Sequence, residues 1–147
     1  MEKINFIDLN YQQKLEILKW RNSEKVKSQM YNNTDISEIE HISFIDNLKN
    51  IENMKFFLIK DIGVINFKRI KDNFAEIGLY SNPSKYGVGN TLMKNILSFP
   101  YSKLYLEVFS DNKKAITLYK KFNFQETYRK VINNKKVICM ELKNENR

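Results

Sequence analysis

The chain has one cysteine, one histidine and two prolines among its 147 residues, and its four glycines include a single close pair. The lone Cys139, in a strand-like run from 136 to 142, leaves no partner for a disulfide framework and fits a reducing compartment. No histidine lies near it in sequence, which argues against a reactive thiol. No apolar run approaches membrane-spanning length, and the opening Met1-Glu2-Lys3-Ile4-Asn5 is unlike a signal peptide. A cytoplasmic protein with no membrane partner is expected. Repeats, low-complexity stretches and linkers are missing too, so the expectation is one domain over residues 1–147.

What is abundant is positive charge. Lysine and arginine number 25 against 17 acidic residues, a formal net charge of +8. The lysines are spread along a chain crowded with asparagine and isoleucine, which points first to composition bias. A positive field would also serve a ligand carrying several phosphates. A nucleic-acid module would show a basic stripe with interleaved aromatics, and none is present. No nucleic-acid partner is expected.

Hydrophobic periodicity lays out the elements. Ile4 to Leu9 reads as a short strand, and Tyr11 to Arg21 as a helix with Leu15, Leu18 and Trp20 facing inward. Ser37 and Glu40 form a capping box opening a helix to about Asn50, with Ile39, Ile42, Ile45 and Leu48 as its apolar residues. Three strands follow, Phe56 to Ile59, Ile62 to Phe67 and Phe74 to Tyr80, turning at Asp61 and at Lys71-Asp72-Asn73. Asn133-Asn134 fits a two-residue hairpin between Thr127 to Ile132 and Lys136 to Leu142.

Two clusters carry chemistry. Gly87-Val88-Gly89 follows the strand-like Ile77-Gly78-Leu79-Tyr80 and opens a helix whose Leu92, Met93, Ile96 and Leu97 share a face. Free N–H groups at such a helix start suit a phosphate, and a diphosphate better. The string is not a Walker loop, and a dinucleotide fingerprint would need glycine where Leu92 stands. Downstream, the strand-like Lys103 to Phe109 leads into a helix led by Asn112, with an Ala115, Leu118 and Phe122 stripe and Tyr119 two turns along.

This succession from about Lys55 to Leu142 resembles the GNAT N-acetyltransferase family. The resemblance implies an α/β (α+β) fold, a mixed sheet of about seven strands flanked by helices and splayed between strands 4 and 5. It implies acetyl-CoA as cofactor. Leu79, Tyr80 and Ser81 would pair with its pantetheine arm, and, after the cofactor-binding turn at Gly87, the backbone N–H groups of Val88, Gly89, Asn90 and Thr91 would hold its pyrophosphate. Asn112 would contact the cofactor, and Tyr119 would protonate the leaving thiolate, its ordinary pKa being near that of a thiol. Two positions depart from the family pattern. Ser84 stands where arginine or glutamine is usual, removing a phosphate contact, and Asn123 stands for a glycine that ends the second helix.

Glu76 is the candidate base, drawing a proton through water, and reads equally as a solvated strand carboxylate. Leu18 to Asn22, Glu40 to Phe44 and Ala75 to Pro83 resemble one subgroup, the pseudaminic-acid-pathway acetyltransferases, which act on the 4-amino group of a UDP-linked 4-amino-4,6-dideoxy sugar. By that resemblance Arg21 would meet the diphosphate. His41 would act as base or phosphate contact, Phe44 would stack on the uracil or sugar, and Tyr80 would line the pocket. An arginine in a salt bridge, a surface or capped histidine and a phenylalanine in the core are the plain alternatives. A protein N-terminal acetyltransferase and a non-catalytic basic binding module are the rival functions, and a homodimer is allowed.

Overall fold

The computed structural model describes residues 2–143. Seven strands form one sheet in the order β1-β2-β3-β4-β5-β7-β6. They are β1 (Lys3–Asn5), β2 (Lys55–Ile59), β3 (Gly63–Lys71), β4 (Phe74–Ser81), β5 (Lys103–Phe109), β6 (Gln125–Ile132) and β7 (Lys135–Lys143). Short polar turns fold the strands back on one another. Asp61 (φ 67°), Asp72 (φ 55°) and the pair Asn133 and Asn134 (φ 52° and 64°) take the left-handed conformation these hairpins need.

The helices are α1 (Tyr11–Arg21), α2 (Glu24–Lys27), α3 (Glu38–Asn47), α4 (Gly89–Leu97) and α5 (Lys113–Lys121). Side chains cap four of the five at the N-terminus: Asn10, Ser23, Ser37 and Asn112. The Ser37–Glu40 capping box forms as its spacing predicts. Only α4 begins without a side-chain cap.

Strand alternation sorts the core onto two faces. Ile65 and Phe67 of β3, with Ile77, Leu104, Leu106 and Val108, pack beneath Leu92, Met93 and Ile96 of α4 and Ile116 and Tyr119 of α5. Val64 and Tyr80 point the other way, into a cluster with Ile17 and Trp20 of α1 and Ile45 of α3.

Three expectations shift. The first strand ends at Asn5, whose side chain accepts from the Ile7 N–H and starts a 3-10 turn, Phe6–Asp8. In α1 it is Ile17 and Trp20 that are buried, with Leu15 and Leu18 at the margin. In α3, Ile39 lies in the exposed first turn at 83% exposure, and His41 takes the inward place.

Candidate active site

The sheet opens at its centre. The parallel strands β4 and β5 are in register only at Phe74–Lys103, Ala75–Leu104 and Glu76–Tyr105. Beyond Glu76 they diverge into a cleft of about 380 Å³. Leu79, Tyr80 and Ser81 form one wall, and Val108 and Phe109 the other. Backbone groups of β4 that would bond to a neighbouring strand here face an opening instead. An extended chain bearing amides would satisfy them.

At one end of the cleft Gly87, at φ 70°, turns the chain into α4. The first helical bond runs from the Leu92 N–H to the Val88 carbonyl, so the earlier N–H groups, including those of Gly89, Asn90 and Thr91, have no partner within the helix. Lys121 donates to Asn90 Oδ1 at 3.2 Å and puts a cation beside this helix start. Gly89 has a packing role as well: a Cβ there would stand 2.9 Å from Leu118 Cδ2. Together, the uncapped helix start and the unpaired strand edge fit a diphosphate joined to an amide-bearing arm.

Beside this helix start, on the same face of the sheet, stands α5. Asn112 caps it, with Oδ1 accepting from the Ala115 N–H at 3.2 Å, which leaves its amide nitrogen and one Oδ1 lone pair for the cleft. Ala115, Leu118 and Tyr119 also line the cleft. The helix turns Ile116 and Tyr119 into the core, so the Ala115, Leu118 and Phe122 stripe is only partly buried. The Tyr119 ring lies 6.0 Å from that of Phe124, and burial pushes its hydroxyl up to about 12.

Residues 16–124 match the Acetyltransferase (GNAT) family. The chain belongs to the GNAT family. It is thereby an acetyl-CoA-dependent N-acetyltransferase, and the expected mixed, splayed seven-stranded sheet is the GNAT fold. It is 39% identical over 129 residues to the acetyltransferase PseH of Campylobacter jejuni, covering 82% of each chain. The crystal structure of that organism's PseH superposes with a TM-score of 0.78 at 28% identity, over 97% of this chain and 96% of the other. The same enzyme has been solved in complex with acetyl coenzyme A. The spermidine N-acetyltransferase of Vibrio cholerae shares the fold, with a TM-score of 0.84 at 21% identity over 97% of this chain and 95% of that one.

The face of the GNAT cleft turned away from α4 and α5 carries the acids. Glu76 of β4 lines it, ion-paired to Arg69 at 3.1 Å. Burial raises its pKa; the Arg69 charge opposes this without cancelling it. Across the gap on β5 stands Glu107, which accepts from Tyr31 at 2.5 Å, Lys130 at 2.6 Å and Tyr105 at 2.7 Å. Burial alone would raise Glu107, but the hydrogen bonds from Lys130, Tyr31 and Tyr105 outweigh it and the net shift is downward. Two carboxylates of opposite tendency thus face one opening.

Sequence reasoning missed Glu107, Tyr31 and Asn66, all of which line the cleft. The signal was present in two of them. Glu107 is a charge inside Leu-Tyr-Leu-Glu-Val-Phe, and Asn66 interrupts Val-Ile-Asn-Phe; each is a poor strand former in an otherwise apolar run.

The cleft gathers Glu76, Leu79, Tyr80, Ser81, Gly87, Val88, Gly89, Asn90, Asn112 and Tyr119. It does not gather Thr91, Arg21, His41 or Phe44. Thr91 offers the helix start its backbone alone. Arg21 donates from Nη2 to the Asn32 carbonyl at 2.7 Å, while its Nη1 is buried with no hydrogen-bond partner among the described residues. Burial lowers its pKa, offset in part by Tyr80 and Asp35. His41 is buried between helices, its Nε2 donating to the Lys14 carbonyl at 2.8 Å, and burial lowers its pKa. A histidine bound to a main-chain oxygen is a helix-to-helix tie in this conformation; it is buried, not the surface group of the plain alternative. Phe44 packs edge-on against Phe56 at 5.1 Å and is 37% exposed.

Proposed function

We propose that the chain, as a single cytoplasmic catalytic unit, transfers acetyl from acetyl-CoA to the 4-amino group of a UDP-linked 4-amino-4,6-dideoxy sugar, a step toward pseudaminic acid. The likeness to PseH supports the acceptor class. The geometric observation that carries the reading is a cleft passing through the sheet, with an anion-binding helix start on one side and two carboxylates on the other.

Bound acetyl-CoA supplies the thioester. The unpaired backbone of Leu79 and Tyr80 is placed to hold the arm and to offer an N–H to the carbonyl oxygen. The first turn of α4, with Lys121 beside it, holds the pyrophosphate; Ser84 contributes no charge there. Glu76, whose pKa is raised, is the better base of the two acids and takes the amine proton through water. Glu107, saturated by three donors, stays anionic and favours a cationic or partly charged amine at the opening. Tyr119 keeps its proton and hydrogen-bonds the departing thiolate, which takes its proton from water while Glu76 returns the amine proton to solvent. Arg21, with its unpaired Nη1, keeps the role of diphosphate contact, whereas His41 and Phe44 stand outside the cleft, held by the Lys14 carbonyl and the Phe56 ring.

The test is thiol release from acetyl-CoA with UDP-4-amino-4,6-dideoxy-N-acetylaltrosamine and, in parallel, α-amino peptides. Turnover confined to the sugar is expected. Turnover confined to peptides would transfer the chain to the protein-modifying branch, and silence on both would favour a binding module.

A further inference from the structure

We infer that Asn66 reads a hydroxyl neighbouring the acceptor amine, so that this cleft selects amino alcohols over bare alkyl amines. The inference rests on the acetyl-transfer reading above and sharpens it. Asn66 is 7% exposed on β3, between Ile65 and Phe67, each at 0%. Tyrosine hydroxyls aside, it and His41 are the buried polar residues among the described ones. His41 has the Lys14 carbonyl as partner; the Asn66 amide has no hydrogen bond to any described residue and lines the cleft. The polar atoms of this amide are not among those closed off from solvent, so they open onto the cleft and are available to what it holds.

The opposite strand is shaped around this amide. Asn66 is in register with Gly78 of β4. A Cβ at Gly78 would stand 2.8 Å from Asn66 Oδ1, 2.9 Å from Nδ2 and 3.2 Å from Cγ. All three contacts belong to one carboxamide, which lies flat on the glycine. Alternation puts Gly78 on the same face of β4 as Glu76 and Tyr80, away from α4 and α5. The amide therefore addresses the acceptor and not the cofactor arm, one same-face position from the proposed base. A carboxamide offers a donor and an acceptor side by side, and a hydroxyl does the same.

The experiment compares the wild type, Asn66→Ala, Gly78→Ala and the double variant. Acceptors are the UDP-4-amino sugar and its analogue lacking the hydroxyl beside the amine. For Asn66→Ala we expect the sugar KM to rise roughly tenfold, the scale of one neutral hydrogen bond, and preference for the hydroxylated sugar to vanish. The acetyl-CoA KM and the kcat should hold, and Tm should hold because no hydrogen bond to a described residue is removed. Gly78→Ala should raise the sugar KM alone, yet add nothing in the Asn66→Ala background, where the amide it displaces is gone. An unchanged sugar KM, a fall in Tm with both KM values moving together, or additive effects in the double variant would overturn the inference. A wild type inactive on both sugars overturns the acetyl-transfer reading with it. A wild type active on the sugar beside an unaltered Asn66→Ala overturns this inference alone.

Discussion

Tyr119→Phe separates two ways a tyrosine can help a thiolate leave. Burial sets the hydroxyl at about 12, whereas an ordinary thiol titrates near 8.5. Handing over the proton completely is then uphill by about 3.5 pH units, roughly 5 kcal/mol at 1.36 kcal/mol each. That is too large for the balanced transfer expected from the unperturbed value. What remains is a hydrogen bond that strengthens as negative charge grows on sulfur, about 1.5–3 kcal/mol for a charged acceptor. The corresponding loss of kcat in Tyr119→Phe is roughly 10- to 150-fold, with the acetyl-CoA KM little altered. The ring contact with Phe124 survives the change and no protein hydrogen bond is lost, so Tm should hold. Steady-state thiol release between pH 6 and 10 is the assay. Because burial keeps the hydroxyl protonated across that range, the wild type should show no basic limb that the variant lacks. An unchanged kcat would remove Tyr119 from the chemistry, and a basic limb near pH 8 that vanishes in the variant would refute the burial argument.

Glu76→Gln should lower kcat/KM and abolish an acid limb lying above the ordinary carboxylate range, since burial raises this pKa and the base form is lost as pH falls through it. Arg69→Ala should move that limb to still higher pH, because the Arg69 charge opposes the rise; an immobile limb in the pH–rate profile counts against Glu76 as base. Gly87→Ala should lower stability by about 1–2 kcal/mol in urea unfolding through its φ of 70° alone, since a Cβ there meets nothing within 4 Å; no loss of stability would mean that the turn relaxes freely.

Local chemistry made much of this fold legible. The capping box at Ser37, the paired asparagines at 133 and 134 and the glycine turn before α4 each dictate backbone geometry within a few residues, and each formed where its residues sit. Asn123, expected to end the second helix in place of glycine, does so at φ 73°. The misplaced features depend on tertiary partners. The strand expected to run to Leu9 stops at Asn5 because β1 pairs with β2 only from Lys3 to Asn5. The α1 stripe is displaced because its apolar residues are spread around the helix and packing selects which are buried, whereas in α5 Ile116 and Tyr119 lead the one apolar face and the expected stripe lies at its edge. In the site, the uncapped start of α4 was readable because glycine and helix start are adjacent in sequence. Glu107 and its partner Tyr31 are 76 residues apart, and no pattern within either segment announces their meeting.

The three-pair junction of β4 and β5 has a consequence for the order of events. While β5 meets β7 in register along the whole of Lys103–Phe109, only Phe74, Ala75 and Glu76 stitch β4 to β5. The sheet is therefore two half-sheets joined by a short seam. Glu76 stands on one half and Glu107 on the other, so the spacing between these acids depends on how firmly the seam is closed. A donor arm lodged in the gap acts as the missing length of stitching. Held there, it would fix that spacing, so the expected kinetics are ordered, donor first and acceptor second, with product-inhibition patterns as the check.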